Sequence, residues 1–308
     1  MKGFFFYVNL SSDQIEREQS MTEIIYLDID GTLRDEREGI PESVVWALNE
    51  CRKNKIQIVI CTGRNQTSIQ DDVMKLPWDG MICGGGCYIQ YYGNTLWEKC
   101  FPVGVIKAIK QYIAKSNLLV SFETKEKIFM NYSAARFYRE DIERKTREFN
   151  LARKECFLRQ NKIQYQENMK AFDCEKSKVH KVCIIGTKNQ IEKIKASWKS
   201  EIEIVQEKQW NGKWYLELLP RGCDKGYAVR RLNQYLGISR NETMCFGDSE
   251  NDIAMMEESG TAVVVESNNR VMRQYASSVC ESVTEDGIYK ELVRRNIIQP
   301  KVREVQCV

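Results

Sequence analysis

The chain has 308 residues, with 46 Lys and Arg against 43 Asp and Glu, for a formal net charge of +3. At 43% hydrophobic and 29% charged it is too apolar for a disordered chain, and at this length single cores give way to two domains. The even charge balance argues against a nucleic-acid scaffold or a polybasic membrane anchor, and no apolar run approaches a membrane span.

Residues 1–20 do not share the alternating pattern that opens at Met21. They read as an upstream extension outside the fold or as a short docked segment. From Met21 onward strands and helices alternate. Residues 24–29 form a continuous apolar strand of the kind buried on both faces of a parallel sheet. A helix is predicted over 41–54, with Val44, Val45, Leu48 and Cys51 along one face. A strand at 56–61, a helix at 65–75 and a strand at 80–83 come next, the signature of a doubly wound, Rossmann-like α/β sheet. After Gly84 the texture changes. Residues 87–100 read as a hairpin about Gly93-Asn94, succeeded by a helix at 103–115, a strand at 118–123 and a mixed-charge helix at 134–148. A strand at 181–185, a helix at 189–198 and strands at 202–207 and 213–218 complete an α+β insertion. Alternation then resumes with a helix at 224–236, strand 243–246, helix 250–258, strand 261–265, and helices at 268–275 and 286–295. The expected division is a core of residues 21–85 and 220–308 interrupted by an inserted domain at 86–219. The twelve cysteines include no Cys-x-x-Cys, and His180 is the only histidine. This argues against a zinc site and for reduced thiols in a cytoplasm.

Motifs that carry chemistry fall where strands meet helices, and ligands of open α/β sheets bind outside the carboxyl ends of strands. Asp28-Ile29-Asp30-Gly31-Thr32 ends the first strand. Two carboxylates one residue apart can share a hard cation while one stays free to attack an electrophile or move a proton. An Asx turn would need one Asp and the Gly, but not the second Asp and the Thr. Thr62-Gly63-Arg64 ends the second strand, where a hydroxyl and backbone N–H groups can seat phosphate oxygens or simply cap a helix. Asp224-Lys225-Gly226 opens a helix, and its lysine can neutralise both a phosphoryl group and a carboxylate. Gly247-Asp248-Ser249-Glu250-Asn251-Asp252 places Asp248 to complete a metal site, with Asn251 and Asp252 as supports; an acidic helix cap would also fit.

These four motifs, in this order, resemble the signatures of the haloacid dehalogenase-like hydrolase superfamily, in its Cof-like branch with a large cap inserted between the second and third. The resemblance runs from about Thr22 to the last helix and includes Glu285-Asp286-Gly287-Ile288 near the C-terminal end. It implies a Mg²⁺-dependent phosphatase acting through an aspartyl-phosphate on small phosphorylated metabolites, sugar phosphates foremost. By resemblance Asp28 is the nucleophile and Asp30 the general acid/base. Thr62 binds phosphate with Gly63 and Asn251, and Lys225 stabilises charge. Mg²⁺ is held by the Asp28 carboxylate, the Asp30 backbone carbonyl and Asp248, with Asp252 in support. The chain departs from the family at Gly84-Gly85-Gly86, where relatives usually carry Asn-Gly, so closure of the cap is the point in question. The cap aromatics, among them Trp97, Tyr132, Phe137, Tyr138, Trp210 and Trp214, read as its core rather than a substrate platform. A phosphohexomutase on the same fold and a non-catalytic metal- or phosphate-binding regulator stay open as alternatives. A glycosyltransferase reading of Asp-x-Asp leaves Lys225 and 247–252 unexplained.

Overall fold

The computed structural model describes residues 22–162, 166–266 and 270–301. The extension at 1–20 and residues 268–269 of the expected 268–275 helix lie outside them. The central strand β1 (Ile24–Leu27) is fully buried and pairs in parallel with both β2 (Gln57–Cys61) and β12 (Thr243–Gly247). Going one way the chain continues through β2 to β3 (Gly80–Cys83). Going the other, after the insertion, it runs through β12 to β13 (Thr261–Val265) and β14 (Ser278–Cys280). The strand order therefore reverses between β1 and β12, and their carboxyl ends open a crevice there.

Alternation within each strand divides two layers of core. Ile25, Leu27, Ile58 and Ile60 pack under α1 (Glu42–Lys53) and α9 (Gly287–Arg294), while Ile24, Tyr26, Val59 and Cys61 face α7 (Lys225–Leu236) and α8 (Ile253–Glu257). Helix α1 buries Val44, Ala47, Leu48 and Cys51 at helical spacing and carries Glu42 in its first turn with Arg52 and Lys53 in its last, each opposing the helix dipole. Helix α7 starts at Asp224, whose carboxylate accepts the Tyr227 N–H, and stops at Gly237 in the left-handed conformation.

The inserted segment builds a second sheet, in the order β10 (Ile202–Trp210), β11 (Lys213–Pro220), β9 (Val179–Gly186), β6 (Leu119–Thr124), β7 (Ile128–Met130), β8 (Gln166–Asn168). All neighbours are antiparallel except β7 and β8. Helices α3 (Val103–Ala114) and α6 (Lys188–Trp198) cover one face through Ile106, Ile109, Ile191 and Ile194. Helix α4 (Tyr132–Lys145) covers part of the other, and α5 (Leu151–Gln160) succeeds it in the chain. The fold is thus α/β, a parallel-dominated core sheet with a separate antiparallel cap sheet.

Three expectations change. The hairpin at 87–100, expected within the insertion, is β4 (Tyr88–Tyr91) and β5 (Asn94–Glu98) of the core sheet, paired antiparallel onto β3. Its aromatic alternation suits either sheet. The helix expected over 65–75 breaks into a 3-10 turn at Gln66–Ser68 and the short α2 (Asp71–Met74), because Ile69 and Gln70 are extended. That break buries Ile69 and lets the Gln70 amide donate to the Asp30 carboxylate at 3.1 Å. The helix expected over 268–275 is, from Arg270 on, only a 3-10 turn at Met272–Gln274. Gly84–Gly86 form a buried 3-10 turn with positive φ at each residue. A Cβ on Gly86 (φ +105°) would lie 2.1 Å from the Asp224 carbonyl oxygen. The run therefore brings β3 against the start of α7 more closely than any side chain permits. Among the described residues no helix is long and apolar enough to cross a membrane, and every described cysteine is free.

Gly86→Ala combines strain at positive φ with a backbone clash and is expected to destabilise the fold by about 2–4 kcal/mol. Urea unfolding measures it, and a loss below about 1 kcal/mol would show that the turn can yield.

Candidate active site

The ends of β1, β2 and β12 and the start of α7 bring together most of the residues singled out in the sequence. Asp28 leaves β1 with its N–H donated to the Phe246 carbonyl, which fixes it beside β12. Its Oδ1 accepts from Lys225 Nζ at 2.5 Å, and the same ammonium reaches Asp252 Oδ1 at 2.6 Å. Lys225 and Asp252 are buried, and Asp28 is nearly so. The other oxygen of Asp252 accepts the backbone N–H groups of Asp248 and Ser249, both at 3.1 Å, and so shapes the turn that presents Asp248. Thr32 donates its hydroxyl to Asp248 Oδ1 at 3.2 Å. Between them Gly31 (φ +87°) leaves room for Asp248, whose Oδ2 lies 2.6 Å from where a Cβ would stand.

Burial pushes the Asp28 carboxyl well above the usual carboxylate range; Lys225 opposes the shift, and the charges of Asp252 and Asp248 add to it. Asp248 rises to about 7, first through burial and then through the Asp252 charge, with Lys225 and the Thr32 hydroxyl opposing. Asp28, Asp248 and Asp252 each offer a carboxylate oxygen within 4.8 Å of the others. Three carboxylates thus face one ammonium. An all-oxygen donor set with surplus negative charge suits a hard divalent cation, which would relieve the repulsion among these carboxylates.

Asp30 points elsewhere. Its carboxylate takes a two-point ion pair from Arg64, Nε to Oδ2 at 2.5 Å and Nη2 to Oδ1 at 2.8 Å. Burial works to raise the Asp30 carboxyl, but the Arg64 guanidinium outweighs it and holds the group below its ordinary value. Thr62 is buried at the end of β2, its Oγ1 accepting the Arg64 N–H at 3.2 Å. Asn251 faces Gly63, with Nδ2 3.7 Å from a Cβ position there, and accepts the Ser249 hydroxyl on its Oδ1.

A cavity of about 480 Å³ joins these groups to the cap. Asp28, Asp30, Thr62, Gly63, Asp248 and Asn251 line its floor, and cap side chains including Glu123, Lys181 and Glu217 line its upper part. Tyr138 and Trp210 also line it, so these two, expected in the cap core, present surface to the site as well. Arg64, although it stands in the Thr62-Gly63-Arg64 motif, and Gln70 carry no functional mark in the sequence. Neither does Lys181, whose ammonium donates to the Gly63 carbonyl at 2.9 Å. His180 is bonded to Glu98 at 3.0 Å and does not line the cavity.

Comparison with known proteins gives the chain a family and relatives. The sequence profile of the family described as haloacid dehalogenase-like hydrolase matches residues 25–292. A putative phosphatase of Bacillus subtilis, YxeH, is 24% identical over 270 residues, 87% of this chain and 96% of that protein. The pyridoxal phosphate phosphatase YbhA of Escherichia coli is 25% identical over 272 residues, with the same coverage of 87% and 96%. A solved haloacid dehalogenase subclass IIB sugar phosphatase superposes with a TM-score of 0.71 at 22% identity, covering 90% of this chain and 100% of its own.

Lys225→Met leaves buried carboxylates without their countercharge and is expected to lower stability by about 3–5 kcal/mol in chelator. Unfolding repeated with a divalent cation should recover part of that loss. An equal loss in both conditions would show that the carboxylates do not hold a cation.

Proposed function

The chain belongs to the haloacid dehalogenase-like hydrolases and is a phosphatase of that type, and from this premise we propose that it hydrolyses small sugar-like phosphate monoesters with Mg²⁺, through a phosphoryl group carried on Asp28. The observation that carries the reading is the Asp28 carboxylate locked on Lys225 beside Asp248 at the sheet's switch point. Asp28, Asp248 and the Asp30 carbonyl would hold the cation, with Asp252 close by. When bound, the cation supplies neutralisation of charge on the phosphoryl oxygens and between the carboxylates.

Asp28 attacks phosphorus in line as the ester P–O bond breaks, and Asp30 gives its proton to the departing oxygen. Water then attacks the phosphoryl group while Asp30 takes a proton from it. Cleavage of the Asp28–phosphorus linkage returns the carboxylate and releases phosphate. Lys225 opposes the burial that favours the neutral form of Asp28, and so favours the ionised carboxylate that attacks. Thr62, Gly63 and Asn251 seat the phosphate oxygens. Arg64 keeps Asp30 ionised in the resting site, so Asp30 serves as an acid only once that ion pair loosens. A phosphate dianion arriving at the Thr62–Gly63 seat competes for the guanidinium and loosens it. We place the cap at residues 101–219, after the core hairpin.

Phosphate release from phosphorylated sugars, nucleotides and cofactors should require Mg²⁺ and stop in chelator. An isomerised ester in place of free phosphate would identify a mutase. Asp28→Asn should lower kcat by about four orders of magnitude or more. Asp30→Asn should lower it by about 10²- to 10⁴-fold. Substantial turnover in the first variant would remove Asp28 as nucleophile, and wild-type rates in the second would remove Asp30 as acid/base.

A further inference from the structure

The face of the cap sheet turned toward the core changes character along its strands. On β6 it runs Leu119, Ser121, Glu123; on β9, in the opposite chain direction, Ile185, Cys183, Lys181; on β11, Tyr215, Glu217. The register sets Leu119 and Tyr215 opposite Ile185, Ser121 and Glu217 opposite Cys183, and Glu123 opposite Lys181. All three strands therefore pass from apolar to polar in the same direction. The apolar end, with Leu119, Cys183, Ile185 and Tyr215, is covered by Ala134 and its neighbours on α4. The polar end stands over Asp28, lining the same cavity.

Three charged side chains meet there, each only about a tenth exposed: Lys181 at 8%, Glu123 at 11% and Glu217 at 10%. Lys181 Nζ lies 3.4 Å from Glu123 Oε2 and 3.6 Å from Glu217 Oε1 while donating to the Gly63 carbonyl. Cys183 donates to Glu123, and Tyr215 donates to Glu217. Desolvation of this many charges is expensive, and an apolar ceiling would stabilise the cap more. Lys181 alone is within ion-pair distance of the two carboxylates, the Lys208 charge acting on Glu217 from farther away, and this leaves acceptor capacity facing the cavity that matches the hydroxyl donors of a polyol. Of the other cations lining the cavity, Arg64, Lys145 and Lys162 are each paired with a carboxylate and Lys208 stands 5.3 Å over the Tyr215 ring, so a second phosphate would meet few free charges. Trp210 and Tyr138, edge to face at 5.2 Å, provide a side wall for the C–H face of such a molecule.

Resting on the phosphatase reading, we propose that Glu123 and Glu217, held by Lys181, are the specificity-determining residues of the cap and bind the hydroxyl groups of an aldose or alditol monophosphate. Lys181 is a positioning residue. It sets the two carboxylates and, through Gly63, registers the closed cap on the phosphate seat.

The test compares kcat/KM for aldose and alditol monophosphates, their monodeoxy analogues, the corresponding bisphosphates and p-nitrophenyl phosphate, in the wild type and in Glu123→Gln and Glu217→Gln. In the wild type, loss of one hydroxyl should lower kcat/KM by about tenfold or more, because a buried acceptor is left unpaired. Bisphosphates should be poorer than monophosphates. Each Gln variant should lose at least about tenfold more on the hydroxylated ester than on p-nitrophenyl phosphate, and its discrimination against the deoxy analogue should shrink. The inference is overturned if parent and deoxy esters are indistinguishable in the wild type, if bisphosphates are preferred, or if the variants lower all substrates alike. The wild-type comparison decides even where a variant fails to fold. No turnover of any ester with Mg²⁺, p-nitrophenyl phosphate included, would instead defeat the phosphatase reading itself.

Discussion

Lys225 is enclosed between two carboxylates from distant parts of the chain, Asp28 at a separation of 197 residues and Asp252 at 27. An ammonium can be buried this deeply only where its charge is matched at hydrogen-bond distance, and each carboxylate needs the ammonium equally. The pair of contacts ties the carboxyl end of β1, the first turn of α7 and the turn after β12 into one unit. Asp252 extends that unit through its second oxygen, which organises the backbone presenting Asp248. The position of every other group at the site depends on this junction. The nucleophile candidate cannot rotate away, and Asp248 stands close enough for its charge to be felt by both neighbours.

The same junction governs how the insertion is attached. The last cap strand, β11, ends at Pro220, five residues before Lys225, so the cap returns to the core at the buried ammonium. The other connection, after β5, lies beside it, because Lys99 donates its ammonium to the Arg221 carbonyl at 2.7 Å, and the Gly84–Gly86 turn of the core packs against the Asp224 carbonyl. Leu219, Cys87 and Cys223 fill the space between the two. Cap and core also touch across the cavity, through Lys181 on Gly63 and through the buried Arg34 guanidinium on Asn161. Each of those contacts exchanges a protein partner for water when the cap opens, so closure is a balance of comparable hydrogen bonds and can respond to a bound ester.

The core chemistry was legible because position and composition coincide there. Asp28, Thr62, Lys225 and Asp248 all stand where an apolar strand or a turn gives way to a helix, and the ends of those elements converge in any doubly wound sheet. Asp252 was legible as a support for the ligands or the lysine, and a carboxylate in a first helical turn also reads as a cap, which it is as well. The hairpin at 88–98 went to the wrong sheet because alternating aromatics fit any half-buried strand pair. Strands β7 and β8 escaped notice because they are three residues long, and β14 for the same reason. Arg64 and Gln70 could not be joined to Asp30 from sequence, because the extended residues at 69–70 break what periodicity presents as a continuous helix.

The cap ceiling shows a different limit. Ser121 and Glu123 alternate with Val120 and Phe122, Lys181 and Cys183 with Val182 and Ile184, and Glu217 with Leu216 and Leu218. Alternation of this kind states that one face is core and says nothing about what lies over the other; solvent and a substrate cavity leave the same pattern. Only the register between strands reveals that the polar residues gather at one end while the apolar ones lie beneath α4. Coverage by the helix and polarity of the sheet are therefore complementary: where α4 ends, the face must be satisfied by something with hydrogen-bonding groups. Over the Asp28 side of the molecule, that something would sit between the cap and Thr62–Gly63, which is why we propose that the leaving group is read by the surface that the cap's own core leaves unburied.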